Sequence, residues 1–215
     1  MKLTFLCSDK KHPVYELLEA WAFAQQGLHE VTLFQGKKEL IGGDILFLIS
    51  CNEIITSSDR EKYSFCLVLH ASDLPKGRGW SPHIWQILNG AESITLSLVE
   101  AEEKIDSGKI WKKLEITIPK HALWDEINYL VFKGEIELIN YAIPNMLVIK
   151  PVEQEETNDL IYYSKRTPED SQIDVNKSIA DQFNLIRVCD PIRFPAYFEY
   201  LGNLYSLKLE KTSDH

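Results

Sequence analysis

Two stretches of the chain, Asp44-Ile-Leu-Phe-Leu-Ile-Ser50 and Phe65-Cys-Leu-Val-Leu69, are apolar without the polar alternation of a half-solvated strand. A strand of this kind is buried on both faces, and the common way to bury both is a parallel sheet with helices packed against it. The flanking segments agree. Lys2–Cys7 and His29–Phe34 read as further strands. Between them Pro13 suits a first helical turn, and Val14, Leu17, Leu18, Trp21 and Ala22 recur at helical spacing, which predicts an amphipathic helix over 13–25 ended by Gly27. The fold class is therefore α/β, an open and mostly parallel sheet flanked by helices.

Further on, the pattern predicts a short helix over 81–88, with Pro82 near its start and Asn89-Gly90 as its stop. Strands follow at 94–99 and 109–118, then a long helix over 121–142 with Leu123, Ile127, Leu130, Val131, Leu138 and Ile139 as its buried stripe and Pro144 as its end. Residues 151–159 are acidic and read as a linker or exposed loop. Beyond them come a strand at 160–163, a helix at 178–186, and a hairpin of 196–200 and 205–209 around Leu201-Gly-Asn203. The division expected is a core of 1–150 and a small α+β subdomain of 151–215.

The 215 residues are 45% hydrophobic and 26% charged, which excludes wholesale disorder. The net charge of −9 argues against nucleic acid or an anionic membrane as partner, yet leaves room for one small anion in a local basic cluster. Cys7, Cys51, Cys66 and Cys189 form no C-x-x-C pair and sit in or beside apolar runs. They read as free thiols of a reducing cytosol, with neither a disulfide framework nor a metal site. The apolar start of the chain is too short for a signal-peptide core or a membrane span, so a soluble, cytoplasmic protein is expected.

Three segments carry possible chemistry. In Leu67-Val-Leu-His-Ala-Ser-Asp-Leu-Pro-Lys-Gly-Arg-Gly-Trp-Ser-Pro82, an apolar strand stops at His70 and a loop with two glycines, Lys76 and Arg78 follows. Ligands of open α/β sheets bind beyond the carboxyl ends of strands, and imidazole moves protons near neutral pH. A lone histidine reads more readily as a satisfied strand-end residue. The Gly77-x-Gly79 pair fits no dinucleotide fingerprint. Glu102-Glu-Lys-Ile-Asp-Ser-Gly-Lys109 lies between two strands, and its Asp106 gains meaning only if that loop folds onto the same sheet edge as His70. Arg166-Thr-Pro-Glu-Asp170 and Asn184-Leu-Ile-Arg187 offer cations and an amide for a phosphate, or else a surface ion-pair loop and a core helix.

Taken in order, these pieces resemble the folate-dependent formyltransferase family: His70-Ala-Ser72-Asp-Leu74-Pro75-Lys76-Gly-Arg78-Gly79, Pro82, Asn89-Gly90 and Asp106-Ser-Gly108-Lys-Ile110, then Tyr163-Ser-Lys-Arg166-Thr-Pro168-Glu169-Asp170 and Asn184-Leu-Ile-Arg187. The stretch His70–Trp85, with Asp at 73, is similar to small amino-sugar-nucleotide N-formyltransferases of the kind serving pseudaminic acid and surface polysaccharide pathways. The resemblance implies a Rossmann-like fold, 10-formyltetrahydrofolate as formyl donor and a nucleotide-linked 4-amino sugar as acceptor, best matched by UDP-4-amino-4,6-dideoxy-N-acetyl-β-L-altrosamine. It implies that His70 assists proton transfer or donates to the oxyanion and that Asp106 orients it.

The resemblance also places a pterin between two loops, one carrying Glu53, Ile54 and Ile55, the other Glu102, Lys104, Ile105 and Asp106. Ser72, Lys76, Arg78, Trp80, Arg166 and Arg187 are implied on the acceptor side. The family asparagine two residues before the histidine is Val68 here. Either the oxyanion is held differently, with Asn52 or Ser72 as substitute, or the chain binds without catalysing. The length leaves no room for the tRNA-binding domain of longer relatives, which together with the charge points away from tRNA. Glycinamide ribonucleotide is a third acceptor to consider. The aromatic C-terminal hairpin, with Phe194, Tyr197, Phe198, Tyr200 and Tyr205, reads as a subdomain face or a homodimer contact.

Overall fold

A computed structural model describes residues 1–155 and 161–212. In chain order the elements are β1 (Lys2–Leu6), α1 (Val14–Ala24), β2 (Glu30–Phe34), β3 (Gly43–Leu48), α2 (Ser57–Arg60), β4 (Tyr63–His70), β5 (Arg78–Gly79), α3 (Pro82–Leu88), β6 (Ser93–Glu100), β7 (Ile110–Thr117), α4 (Trp124–Asn145), β8 (Tyr162–Tyr163), α5 (Phe183–Arg187), β9 (Ala196–Tyr200) and β10 (Asn203–Leu207).

The main sheet has the order β2-β1-β3-β4-β6-β7. Its first four strands are parallel, and β6 and β7 are added antiparallel. The continuous apolar runs are thus the central β3 and β4. Ile45, Phe47, Leu67 and Leu69 meet Val14, Leu18 and Trp21 of α1, Ile87 of α3, and Ile127, Val131 and Leu138 of α4 in one buried cluster. Leu46, Leu48 and Cys66 face the other way, onto Leu40, Ile55 and Tyr63. The helices α1, α3 and α4 therefore pack on one face, whereas loops cover the second. Because loops yield room more easily than a packed helix, that second face is where a ligand can reach the strand ends.

Several boundaries differ from expectation for identifiable reasons. The long helix starts at Trp124 because the Glu126 carboxylate accepts the Leu123 N–H at 2.8 Å, and it runs past Pro144, whose missing N–H falls in the last turn. The helix expected over 178–186 is reduced to α5. Gln182 instead ties turns together, accepting from the Asp174 N–H at 2.7 Å and donating to the carbonyls of Asp174, Lys177 and Ser178. The hairpin turn is two residues, Leu201 and Gly202, both at positive φ, so β10 begins at Asn203 rather than Tyr205. Of the expected strand at 160–163, Leu160 lies outside the described residues, as do 156–159 of the expected linker. The remainder of that linker is anchored: Val152 and Ile110 exchange backbone hydrogen bonds at 2.8 and 2.9 Å. Ile173, Ile186, Cys189 and Ala196 form a small core of their own in the C-terminal part. No helix among the described residues is long and apolar enough to cross a membrane.

Candidate active site

His70 ends β4, next to the antiparallel β6, and its side chain is 8% exposed. The loop between β6 and β7 does fold onto it. Asp106 Oδ1 lies 3.6 Å from His70 Nδ1, and the Asp106 side chain is 7% exposed. Asp106 sits at φ +53°, a backbone region that Asp tolerates better than most residues and that gathers at functional sites. On the other side of the ring, Nε2 donates to the Gly77 carbonyl at 2.9 Å. A carbonyl only accepts, so Nε2 carries a proton, and Nδ1 gains from Asp106 when it carries one as well.

The glycine loop is the frame of this pair. The Gly79 N–H donates to Asp106 Oδ2 at 3.0 Å. Arg78 and Gly79 form β5, which pairs with Tyr162–Tyr163 of β8. Gly79 has φ +99°, and a Cβ there would run into the Tyr163 carbonyl oxygen. Gly79→Ala is therefore expected to cost roughly 1–3 kcal/mol and to loosen Asp106. A denaturation midpoint equal to that of the parent chain would contradict this.

Gln154 closes the frame from the segment read as linker. Its Nε2 donates to the carbonyls of Asp106 and Gly108 at 2.9 and 2.8 Å, and its Oε1 accepts from Arg78 Nη2 at 2.9 Å. Lys113 of β7 pairs with Asp73 and donates to the Leu74 carbonyl, pinning the start of the loop. Neither residue stood out in the sequence; Lys113 lies on the polar face of an alternating strand, which was its one visible signal.

The remaining candidates separate into groups. Ser72 is 1% exposed, its Oγ donates to the Lys76 carbonyl and its own carbonyl accepts from Ser97 Oγ, so its hydroxyl serves the loop. Arg187 is 2% exposed, with Nη1 on the carbonyls of Pro119 and Ala122 and Nε on Asn184. It joins α5 to the entrance of α4 and is withdrawn from any anion. Arg166 Nη2 likewise serves the Asp170 carbonyl and Ser171 Oγ. Lys76 and Trp80 remain exposed, and Lys165 Nζ stands 5.1 Å over the Trp80 ring. Asn52 is exposed just past β3, where its N–H donates to Ser8 Oγ. Val68 is half-buried against the cluster of Leu48, Cys66 and Ile55.

The two loops implied for a pterin are tied together by Arg60, which donates to the Ile55 carbonyl at 2.8 Å and pairs with Glu103 at 3.6 Å. Glu53 and Ile54 hold Lys37, through a 2.6 Å bond from its N–H and a 3.0 Å bond from its Nζ. The exposed apolar side chains on these loops are Ile54 and Ile105. Lys104 and Glu102 are also exposed, and the Lys104 carbonyl accepts from Ser107. Burial pushes the Cys7 and Cys66 thiols up to about 11 and about 12, which removes them as nucleophiles at neutral pH. Among the described residues no group of three or more His, Cys, Asp or Glu side chains is placed to hold a metal ion.

No family model matches the chain. Comparison with solved structures is decisive for the fold. A 4-N formyltransferase from Francisella tularensis superposes with a TM-score of 0.71 at 18% identity, covering 99% of this chain and 98% of that one. HypX from Aquifex aeolicus in complex with tetrahydrofolic acid superposes at 0.77 with 20% identity, over 95% of this chain and 36% of that one. The chain has the formyltransferase fold. Among curated proteins, the bifunctional polymyxin resistance protein ArnA of Wigglesworthia glossinidia brevipalpis is 34% identical over 134 residues, 62% of this chain. The chain spans 20% of the length of that relative. On the formyltransferase fold, the His70–Asp106 pair stands beside the carboxyl ends of the parallel strands, where ligands of open α/β sheets bind.

Proposed function

We propose that the chain is an N-formyltransferase that moves a formyl group from 10-formyltetrahydrofolate to the amine of a nucleotide-linked 4-amino sugar. The observation that carries this reading is the buried His70–Asp106 pair framed by the glycine loop on the formyltransferase fold. The similar proteins support it: one is a 4-N formyltransferase, and HypX forms a complex with tetrahydrofolic acid. The folate fits the loops that Arg60 ties together, where Ile54 and Ile105 offer apolar contact and the backbone near Glu53, Ile55, Glu102 and Lys104 offers polar groups. Bound there, it supplies the formyl carbon.

The chain's own residues would do the rest. His70, held by Asp106, takes up and returns the proton that the attacking amine loses and the leaving nitrogen needs. Their burial keeps bulk water away from the transfer. Lys76, Arg78, Lys165 and the Trp80 ring present cations and an aromatic face to a nucleoside diphosphate. In this reading the core of 1–150 carries the transfer and 151–215 shapes the acceptor side. The best acceptor is UDP-4-amino-4,6-dideoxy-N-acetyl-β-L-altrosamine, as in pseudaminic acid and surface polysaccharide synthesis. The four free thiols suit a reducing cytoplasm, and the exposed Leu201, Leu204 and Tyr205 suit a homodimer contact.

Val68 favours one second reading, a non-catalytic protein that binds folate or a nucleotide sugar. Incubation with 10-formyltetrahydrofolate and a panel of UDP- and dTDP-amino sugars, with glycinamide ribonucleotide as the competing amine, separates the readings. Folate turnover only with a 4-amino-sugar nucleotide is expected. Calorimetric binding without turnover would support the second reading, and neither binding nor turnover would remove both.

A further inference from the structure

The chain lacks the amide that the resemblance places at position 68, and Ser50 lies just past the end of the neighbouring parallel strand. We infer that the Ser50 hydroxyl, oriented by His12, donates to the formyl oxygen as negative charge develops on it. The inference rests on the formyl-transfer reading and adds two residues to it.

The argument begins with register. Leu48 of β3 pairs with Val68 of β4 in a parallel ladder. Ser50 and His70 each lie two residues beyond that pair, so they leave the sheet from neighbouring strands at its carboxyl edge. Leu48 and Val68 belong to the cluster on the loop-covered face. With the two-residue period of strands, His70 is directed to that face too. Ser50 stands at φ +47°, an uncommon conformation for serine of the kind that gathers at functional sites.

His12 then fixes where the hydroxyl proton goes. The Val14 N–H donates to His12 Nδ1 at 3.3 Å. A backbone N–H only donates, so Nδ1 holds a lone pair and the neutral ring carries its proton on Nε2. Burial and the nearby Arg193 push His12 down to about 4, which keeps the ring neutral at pH 7. Nε2 is 3.2 Å from Ser50 Oγ and donates to it. With its oxygen receiving that bond, Ser50 must direct its own proton elsewhere, and among the described residues no acceptor meets it. The result is an exposed hydroxyl whose proton is left available to a ligand. Ser72 is spent on the Lys76 carbonyl, so it cannot take the part.

The test compares Ser50→Ala, Ser50→Asn, His12→Phe and the double variant Ser50→Ala/His12→Phe in the formyl-transfer assay. Affinity for 10-formyltetrahydrofolate is measured in parallel. Loss of one donor to a developing oxyanion costs about 100-fold or more in kcat, so Ser50→Ala should lose that much with unchanged folate affinity. His12→Phe keeps the packing on Phe132 and should lose about tenfold. The double variant should be no slower than Ser50→Ala, because His12 acts through Ser50. Asn tolerates positive φ and offers an amide donor, so Ser50→Asn should recover much of the rate. Ser50→Ala turning over at the parent rate, or losses that multiply in the double variant, would overturn the inference and leave formyl transfer standing. A parent chain that formylates no amine in the panel would overturn formyl transfer itself, and this inference with it.

Discussion

His70→Asn is expected to slow formyl transfer by about 10²–10⁴-fold, the usual worth of a positioned proton-transfer group, in a chain that still folds. The ring touches both the Asp106 carboxylate and the Gly77 carbonyl, and asparagine cannot relay a proton between nitrogen atoms. Asp106→Ala is expected to fall in the same direction for a different reason. It removes the partner of Nδ1 and also the acceptor of the Gly79 N–H, so the ring loses its charge partner while the glycine loop loses an anchor. The two effects should not add, since each variant breaks the same pair. Transfer rates and folate affinity of both single variants and the double decide the matter. A folded His70→Asn chain with the parent rate would remove His70 from the reaction.

What the sequence made legible follows from what kind of interaction is involved. The central strands were readable because burial on both faces forces an uninterrupted apolar run, and Asp44–Ser50 and Phe65–Leu69 have one. That the helices lie on one face was not readable, because a loop carrying Leu40 or Ile55 buries a strand residue as well as a helix does. His70 and Asp106 could be named from motif order, but their pairing depends on a loop closing over the sheet, which spacing does not encode. Gln154 shows the limit most plainly. It lies in an acidic stretch that reads as linker, yet its amide bonds two carbonyls and a guanidinium of the site. Side-chain bonds to backbone groups leave no periodic trace. Arg187 erred the other way: a cation suited to phosphate is held instead by backbone carbonyls in the interior.

Glu135→Met is expected to stabilise the fold, and far more at pH 8 than at pH 5. Glu135 lies on α4 at 7% exposure, and among the described residues its Oε2 has no partner. Burial pushes its carboxyl from 4.5 up to about 8. Between those values the folded chain holds a proton that the unfolded chain has released, so stability falls as pH rises through that window. At 1.36 kcal/mol per unit the loss is on the order of 5 kcal/mol once the group ionises. Methionine has similar volume and no charge, and so removes both the penalty and the orphaned oxygen. His12 and His83 act in the opposite sense. Both are pushed down to about 4, chiefly by burial, so the unfolded chain binds more protons between pH 4 and 6.5 and stability is lost as pH falls through that range. The two windows overlap between pH 4.5 and 6.5, where two histidines outweigh one carboxyl, so the parent chain should be most stable near pH 6.5, the ordinary histidine value. In the variant the acid limb should persist while the alkaline limb flattens. Urea midpoints at pH 5, 6.5 and 8 read this directly; a parent chain equally stable at pH 6.5 and 8 would show that Glu135 ionises without cost.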